Sequence, residues 1–407
     1  MLECFQYEYI CIQYRNREQR MKIGLLGYGT VGKALVKRLS KADYMGSGLV
    51  IHKILRRRGK ATGALMVDDP QEILEDDDID VVVELMGGIH PAYEYIRAAL
   101  NAHKHVITAN KALINKYGDE LSSLARKKKC GLLLSAACGG GIPIQPTILE
   151  NKPLGLSSIS GILNGTTNYI LDEMESKGVE YSSALSQAQK LGYAEADPSN
   201  DVDGIDSLYK IRLAMAVGVD TWVDIDTILM EGISHIQQAD TQEILKLGYK
   251  TRLIAQGKKL EMGIEMTIEP CLVKVDSAYA HTLQNYNLAI LQPHRGHPVY
   301  LSGQGAGGDP TASNVIRDLL YTKAGQREML PRVIQHEQAH NASLIAKYFV
   351  RTEKDSEAFK ENIETEWFVG EHRYLVLKKL HATTVHQRVH ALREKEDIFF
   401  ARFEEAV

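Results

Sequence analysis

The sequence predicts an α/β protein built on a doubly wound parallel sheet, joined to a helix-rich α+β domain and a small ferredoxin-like α+β unit. Three observations carry that prediction. A glycine turn sits between an apolar strand and an amphipathic helix at Met21–Leu39, strands and helices then alternate as far as Ala137, and beyond Pro143 the alternation stops. A chain of 407 residues also exceeds the roughly 250–300 residues at which a single core stops growing, so more than one domain is expected.

MKIGLLGYGTVGKALVKRL, from Met21, reads as a buried strand, a turn and a helix whose Val31, Leu35, Val36 and Leu39 return at about 3.6-residue spacing. LVIHKIL (Leu49–Leu55) is the next strand, closed by Arg56, Arg57 and Arg58 and the breaker Gly59. IDVVVELMGG (Ile79–Gly88) has the unbroken apolar run of a strand buried on both faces, and the helix after it takes Pro91 in its first turn, where a missing N–H does no harm. HVITAN, a helix from Lys111 to about Lys128, and GLLLSAA continue the series. Helices of this length between strands imply parallel crossovers. The change of pattern places a boundary near 144–150 and a first domain over 21–148. Beyond it NYILDEMESKG, SSALSQAQKLG and GIDSLYKIRLAMAVG predict helices that dominate a domain over 149–300, with SSISGIL and LEMGIEMTIEPCLV as strand candidates. ASLIAKYFV, a polar helix near KDSEAFKEN, IETEWFV, HRYLVLKKL, TTVHQRVHALRE and DIFFARFEE then give β-α-β-β-α-β, the ferredoxin-like unit over 338–407.

Composition narrows the function. A formal charge of −4 argues against a nucleic-acid partner, whose binders carry a basic face. The five cysteines, Cys4, Cys11, Cys130, Cys138 and Cys271, are odd in number and never spaced C-x-x-C, which suits a reducing cytoplasm and gives no zinc knuckle or disulfide frame. No apolar run reaches the roughly 18–20 residues of a membrane span, so a soluble protein with no membrane partner is expected. Residues 1–20 lack the basic start and cleavage site of a signal peptide. Met21 directly precedes the first strand, which predicts that the natural start is Met21 and that 1–20 is a non-native leader.

GYGTVG places Gly27, Gly29 and Gly32 in the G-x-G-x-x-G order of a Rossmann-type dinucleotide site, with Tyr28, Thr30 and Val31 completing the turn and the helix start. The first glycine permits the tight turn, the second lets a pyrophosphate approach the backbone, and the third lets helix and sheet close. An NAD site usually has an acid at the end of the second strand for the ribose hydroxyls. Here Arg56 and Arg57 stand there, followed by Arg58, and guanidinium forks suit a 2′-phosphate, so NADP(H) is preferred and NAD(H) is the alternative. A solvated basic run accounts equally for one or two of the three.

Five further stretches resemble the homoserine dehydrogenase family in order and spacing: HVITANKALINKYG (His105–Gly118), GGGIPI (Gly139–Ile144), GILNGTTNYIL (Gly161–Leu171), GYAEADPSNDVDGIDSLYK (Gly192–Lys210) and GQGAGGDPTASNVIRD (Gly303–Asp318). The resemblance implies reversible NAD(P)H-dependent reduction of L-aspartate 4-semialdehyde to L-homoserine, on the route to threonine and methionine. It also implies that 301–330 returns to complete the nucleotide domain, that the middle domain binds substrate and makes a homodimer, and that 338–407 is an ACT-like regulatory domain. No kinase-like segment precedes the fingerprint, so a monofunctional enzyme is expected. Another amino-acid semialdehyde dehydrogenase, or a catalytically silent nucleotide sensor, are the alternatives.

Hydride delivery to an aldehyde leaves negative charge on oxygen, so a positioned acid is required. Lys210 matches the family's catalytic lysine and is expected to give that proton in reduction and take it back in oxidation; Lys111 of TANK matches a second site lysine, at the cofactor or the substrate. An isolated Asp-x-x-x-Lys would be an ordinary helix pair. Here it lies in a matched block, and the substrate's α-ammonium calls for carboxylates: Glu195 and Asp206, with Asp201 as a further ligand. Asp197, Asn200 and Asp203 are expected to shape turns or cap a helix. Gly165 and Thr166 of NGTTN either donate to the ligands or only start a helix, and Gly192 and Gly305 either approach the cofactor or only turn the chain.

The chain departs from the family at two places. Members commonly bind a sodium ion with a glutamate and nearby carbonyls before GGGIPI. Cys138, Gly140 and Ile142 still offer main-chain oxygens, but Ser135 stands at the glutamate's place, which puts the ion in question. The C-terminal unit has VRTEKDSEAF where ACT domains often have Asp-x-Pro-Gly, so threonine feedback is not carried over.

Overall fold

The computed structural model describes residues 20–41, 44, 46–57, 59, 63–331, 335–353 and 357–404. The expected leader, save Arg20, lies outside the described residues, as do Cys4, Cys11 and Arg58. The chain forms two compact units, Met1–Pro146 with Ala306–Arg332, and Thr147–Gly305 with Val333–Val407.

The first unit holds a six-stranded sheet of β1 (Met21–Leu26), β2 (Leu49–Leu55), β3 (Met66–Val67), β4 (Val81–Glu84), β5 (His105–Thr108) and β6 (Leu132–Leu133), in the order β3-β2-β1-β4-β5-β6. Every pairing is parallel. The order reverses between β1 and β4, the place where the carboxyl ends of the strands part and leave a crevice for a ligand. Val81, Val82 and Val83 are fully buried because helices cover both faces. GLLLSAA departs from its prediction: the strand stops at Leu133 and Ser135–Ala137 turns into a 3₁₀ helix. The cause is a side chain from far along the chain, since Ser135 donates from N and Oγ to Asp318 at 2.9 and 2.6 Å instead of joining the ladder.

Asp318 belongs to the returning segment, whose helix Gly308–Lys323 packs along Thr30–Leu39. A Cβ on Gly308 would stand 2.9 Å from Thr30 O, so glycine is needed for that approach. Asp309 accepts from Arg38, Lys323 donates to Ser47 O at 2.6 Å, and Leu132 N donates to Arg327 O at 3.0 Å.

The second unit is richer in strand than its sequence predicts. Its long sheet runs β13-β12-β7-β10-β11-β18-β15-β17-β16, from β7 (Leu156–Ile162), β10 (Tyr249–Lys259), β11 (Ile264–Lys274), β12 (Tyr286–Pro293), β13 (Val299–Gln304), β15 (Ile345–Thr352), β16 (Ile363–Val369), β17 (His372–His381) and β18 (Phe399–Phe403). A short β9 (Leu229–Met230) joins β11, while β8 (Thr221–Val223) pairs with β14 (Gln335–Glu337). LEMGIEMTIEPCLV holds one strand as expected, β11 from Ile264, and the chain turns into it at Gly263, whose φ of +89° is left-handed. The predicted helices do form, at Gly165–Lys177, Tyr181–Lys190 and Ile205–Val219.

The last four strands stand in the order β18-β15-β17-β16, fourth-first-third-second in the chain order of the segment, with the helix Ala382–Arg393 before the last. The polar helix expected near KDSEAFKEN is a 3₁₀ turn, Glu357–Asn362. This segment shares its sheet with the rest of the unit, because β18 pairs in parallel with β11 at Cys271↔Arg402 and Leu272↔Phe403. Arg402 reaches the fully buried Glu269 of β11 at 2.7 Å, and His386 reaches the other oxygen at 3.1 Å. Among the described residues no helix is long and apolar enough to cross a membrane.

Candidate active site

The crevice of the first unit opens beside the glycine turn as a cavity of about 520 Å³, lined among others by Gly27, Gly29, Arg56, Arg57, Asp68 and Met86. The three glycines divide their roles by geometry. Gly27 has φ +104° and no room for a Cβ, which would lie 2.8 Å from Leu85 O. A Cβ on Gly32 would strike Gly27 O at 2.4 Å, so this glycine lets the helix start close against the turn. Gly29 faces open space with nothing within 4 Å, which leaves the backbone approachable where a pyrophosphate would sit. Thr30, Val31 and Gly32 supply the first-turn N–H groups of the helix, a site for anions. Arg56 lies over the Tyr28 ring at 5.7 Å, so both side chains border the cavity, and Asp68 accepts from Gly59 N at 3.0 Å. These residues fit a dinucleotide with anionic groups.

At the carboxyl edge of the same sheet, Glu84 is fully buried. It accepts from Thr108 Oγ1 at 2.6 Å and from Met86 N at 2.7 Å, while burial holds its carboxyl above the usual range. Thr108 Oγ1 in turn accepts from Asn110 N at 3.0 Å, and Asn110 caps the helix Lys111–Lys127 and donates to Gly88 O at 2.5 Å. This web fixes the turn that carries Lys111, which is half-buried at the first helical position.

The second unit gathers the other predicted residues. Asp206 lies in the first turn of the helix Ile205–Val219, which Gly204 enters with φ +87°. Lys210, one turn on, donates to Asp206 Oδ2 and to Leu163 O, each at 2.6 Å, and both side chains are about nine-tenths buried, at 9% and 11% exposure. Asn164 caps the helix Gly165–Lys177 by accepting from Thr167 N. Its amide donates to Asp206 Oδ2 at 2.9 Å and to Asp201 Oδ1 at 2.6 Å, so one asparagine joins the two acids. Asn287, fully buried, donates to Leu163 O at 2.8 Å and thereby shares the carbonyl that holds Lys210.

Glu195 is exposed in the turn after the helix Tyr181–Lys190. That turn is tied to the site by Thr166, whose hydroxyl donates to Tyr193 O at 2.7 Å, and by the Tyr169–Tyr193 ring contact. Gly192 has φ +76° with nothing within 4 Å of a Cβ, and Gly305 packs on Asn287, whose Nδ2 would lie 1.9 Å from a Cβ there. Asp197 accepts from Ser199 N and Oγ and shapes the turn. The sequence reading missed Glu84, Asn164 and Asn287. Asn164 has a local signal, an asparagine opening a helix; Glu84 and Asn287 each depend on a side-chain or carbonyl partner distant in the chain, Thr108 and Leu163.

Gly140 O and Ile142 O, two of the oxygens considered for a sodium ion, accept from Asn314 Nδ2 at 2.5 and 3.0 Å. Ser135 serves Asp318, whose fully buried carboxyl is pushed up to about 7 by desolvation. This arrangement does not fit a monovalent ion.

Comparison with known proteins gives these sites their setting. The model "Homoserine dehydrogenase, NAD binding domain" matches residues 27–135, and "Homoserine dehydrogenase" matches 144–320. The homoserine dehydrogenase of Synechocystis sp. is 38% identical over 322 residues, 74% of this chain and 72% of that one; the enzyme of Bacillus subtilis is 33% identical over 75% and 74%. The crystal structure of a homoserine dehydrogenase from Thiobacillus denitrificans superposes with a TM-score of 0.83 at 28% identity, covering 95% of this chain and 99% of that one. A hyperthermophilic archaeal homoserine dehydrogenase in complex with NADPH gives 0.66 at 26%, over 76% and 100%. Fold and site thus define an NAD(P)-dependent oxidoreductase acting on a CH–OH group. The chain belongs to the homoserine dehydrogenase family.

Proposed function

We propose that the protein interconverts L-aspartate 4-semialdehyde and L-homoserine, with NADPH preferred over NADH, and acts as a cytoplasmic homodimer in threonine and methionine biosynthesis. The observation that carries the reading is the buried Lys210–Asp206 pair and the Asn164 bridge from it to Asp201. A bound nicotinamide supplies the hydride. Lys210 gives a proton from Nζ to the oxygen that gains charge as the carbonyl is reduced, and recovers it from the hydroxyl in the reverse direction. Leu163 O and Asp206 fix the direction of Nζ, so little reorientation is required when the charge develops. Asp201, Asp206 and the neighbouring turn with Glu195 receive the substrate's α-ammonium. Lys111 is the second site lysine, at the cofactor or the substrate, and Arg56 and Arg57 favour a 2′-phosphate.

Purified protein with aspartate semialdehyde is expected to oxidise NADPH with a higher kcat/KM than NADH. Lys210→Ala is expected to lower kcat by roughly 10²–10⁴-fold while NADPH still binds, as read by nucleotide fluorescence. Full turnover in that variant removes Lys210 from the chemistry; NADPH binding by the wild type without turnover of the aldehyde removes the activity.

A further inference from the structure

We infer that the Asn314 side chain takes the place of a monovalent cation at the loop Cys138–Ile142, and that the protein neither binds nor needs sodium or potassium there. Clustered main-chain carbonyls attract a cation because their dipoles point the same negative end at one spot. Here Gly140 O and Ile142 O converge on Asn314 Nδ2, at 2.5 and 3.0 Å. An amide NH₂ has two N–H bonds diverging from one nitrogen, so it can serve two converging acceptors at once. A nitrogen at those distances occupies the spot a metal ion would take.

The amide cannot turn round to vacate it. Arg317 donates to Asn314 Oδ1, which fixes which end of the amide is oxygen and which is nitrogen. The guanidinium also polarises the amide, leaving its NH₂ end more positive toward the carbonyls. Asn314 is fully buried, so water does not compete for either end.

The rest of the loop is held from the same helix. Pro310, Asn314 and Asp318 recur every four residues along Gly308–Lys323 and form one stripe. A Cβ on Gly141 would lie 2.9 Å from Pro310 Cβ, Asn314 holds Gly140 and Ile142, and Asp318 accepts from Ser135 N and Oγ. Ser135 brings a hydroxyl donor to Asp318 where a glutamate would bring a second carboxylate. Two carboxylates together would call for a cation or a shared proton between them; a carboxylate and a hydroxyl call for neither.

Thermal unfolding of the whole chain, without substrate or nucleotide, tests this apart from the proposed activity. A cation that binds only the folded state raises Tm as its concentration rises. The wild type is expected to melt at one temperature in sodium, potassium and choline chloride of equal ionic strength. Asn314→Ala, which removes the side-chain donor that Gly140 O and Ile142 O share, is expected to melt roughly 2–8 °C lower in choline chloride. A wild-type Tm that climbs with sodium or potassium but not with choline overturns the inference, and so does an Asn314→Ala protein with an unchanged Tm. If that variant does not fold, the wild-type comparison among the three salts decides alone.

Discussion

Glu84 shows how one buried acid organises a functional turn. Burial raises its pKa, so the folded protein keeps a proton that the unfolded chain releases as pH passes the ordinary carboxylate value of 4.5. The native state then binds more protons than the unfolded one, and the stability linked to Glu84 is complete at low pH and declines as pH rises through the folded pKa. Glu84→Gln is expected to flatten the dependence of Tm on pH above the ordinary carboxylate value of 4.5, and to raise KM for cofactor through a looser Lys111 turn; an unchanged melting profile contradicts the assignment. Nothing local in VVVELMGG marks this glutamate as a partner of Thr108, which lies 24 residues away. Lys210 and Asp206 were legible because a helix brings residues four apart together, and the glycines of GYGTVG because a turn constrains its own backbone. Asn287 and Asn314 were not, because their acceptors are 124 and more than 170 residues distant.

At the scale of elements, β12 and β13 bring Asn287 and the Gly305 loop against Leu163, at the end of β7. Gly305 is therefore required by packing. Gly305→Ala is expected to displace the Asn287 side chain, to cost about 1–3 kcal/mol of stability, and to lower kcat through the loss of a partner on the carbonyl that holds Lys210. A Tm and kcat equal to wild type would show that the loop yields freely. The sequence reading undercounted strands here for a physical reason. YKTRLIAQGKK in β10 mixes charge with apolar residues, and although β11 follows it directly, its other edge is answered only by the distant β7. Arg252 of that strand is fully buried and answered by Glu175 at 2.8 Å, an ion pair that hydrophobic patterning does not forecast.

Across the whole molecule, the C-terminal strands extend an existing sheet. Removing residues 338–407 would uncover the β11 edge and strip Glu269 of both Arg402 and His386. An unpaired edge invites aggregation, and an uncompensated buried carboxylate costs about 3–5 kcal/mol. The truncated chain is expected to be lost from the soluble fraction on expression, as measured by gel filtration; a stable, active truncation would show that the segment is dispensable. The β-β-α-β tail of this segment was legible from its alternating strands, while its fusion to β11 was not, because sheet order depends on partners and not on local pattern.

The first unit is assembled from two separated pieces, with Ala306–Arg332 arriving only after the second unit's intervening residues. On the ribosome the nucleotide-binding half must therefore wait without the Asp318 partner of Ser135 and the Asn314 amide that joins Gly140 O to Ile142 O until the late helix emerges. Contacts so distant in sequence form slowly, so translation itself sets the earliest moment at which the Ser135–Ile142 loop can be locked by its partner helix.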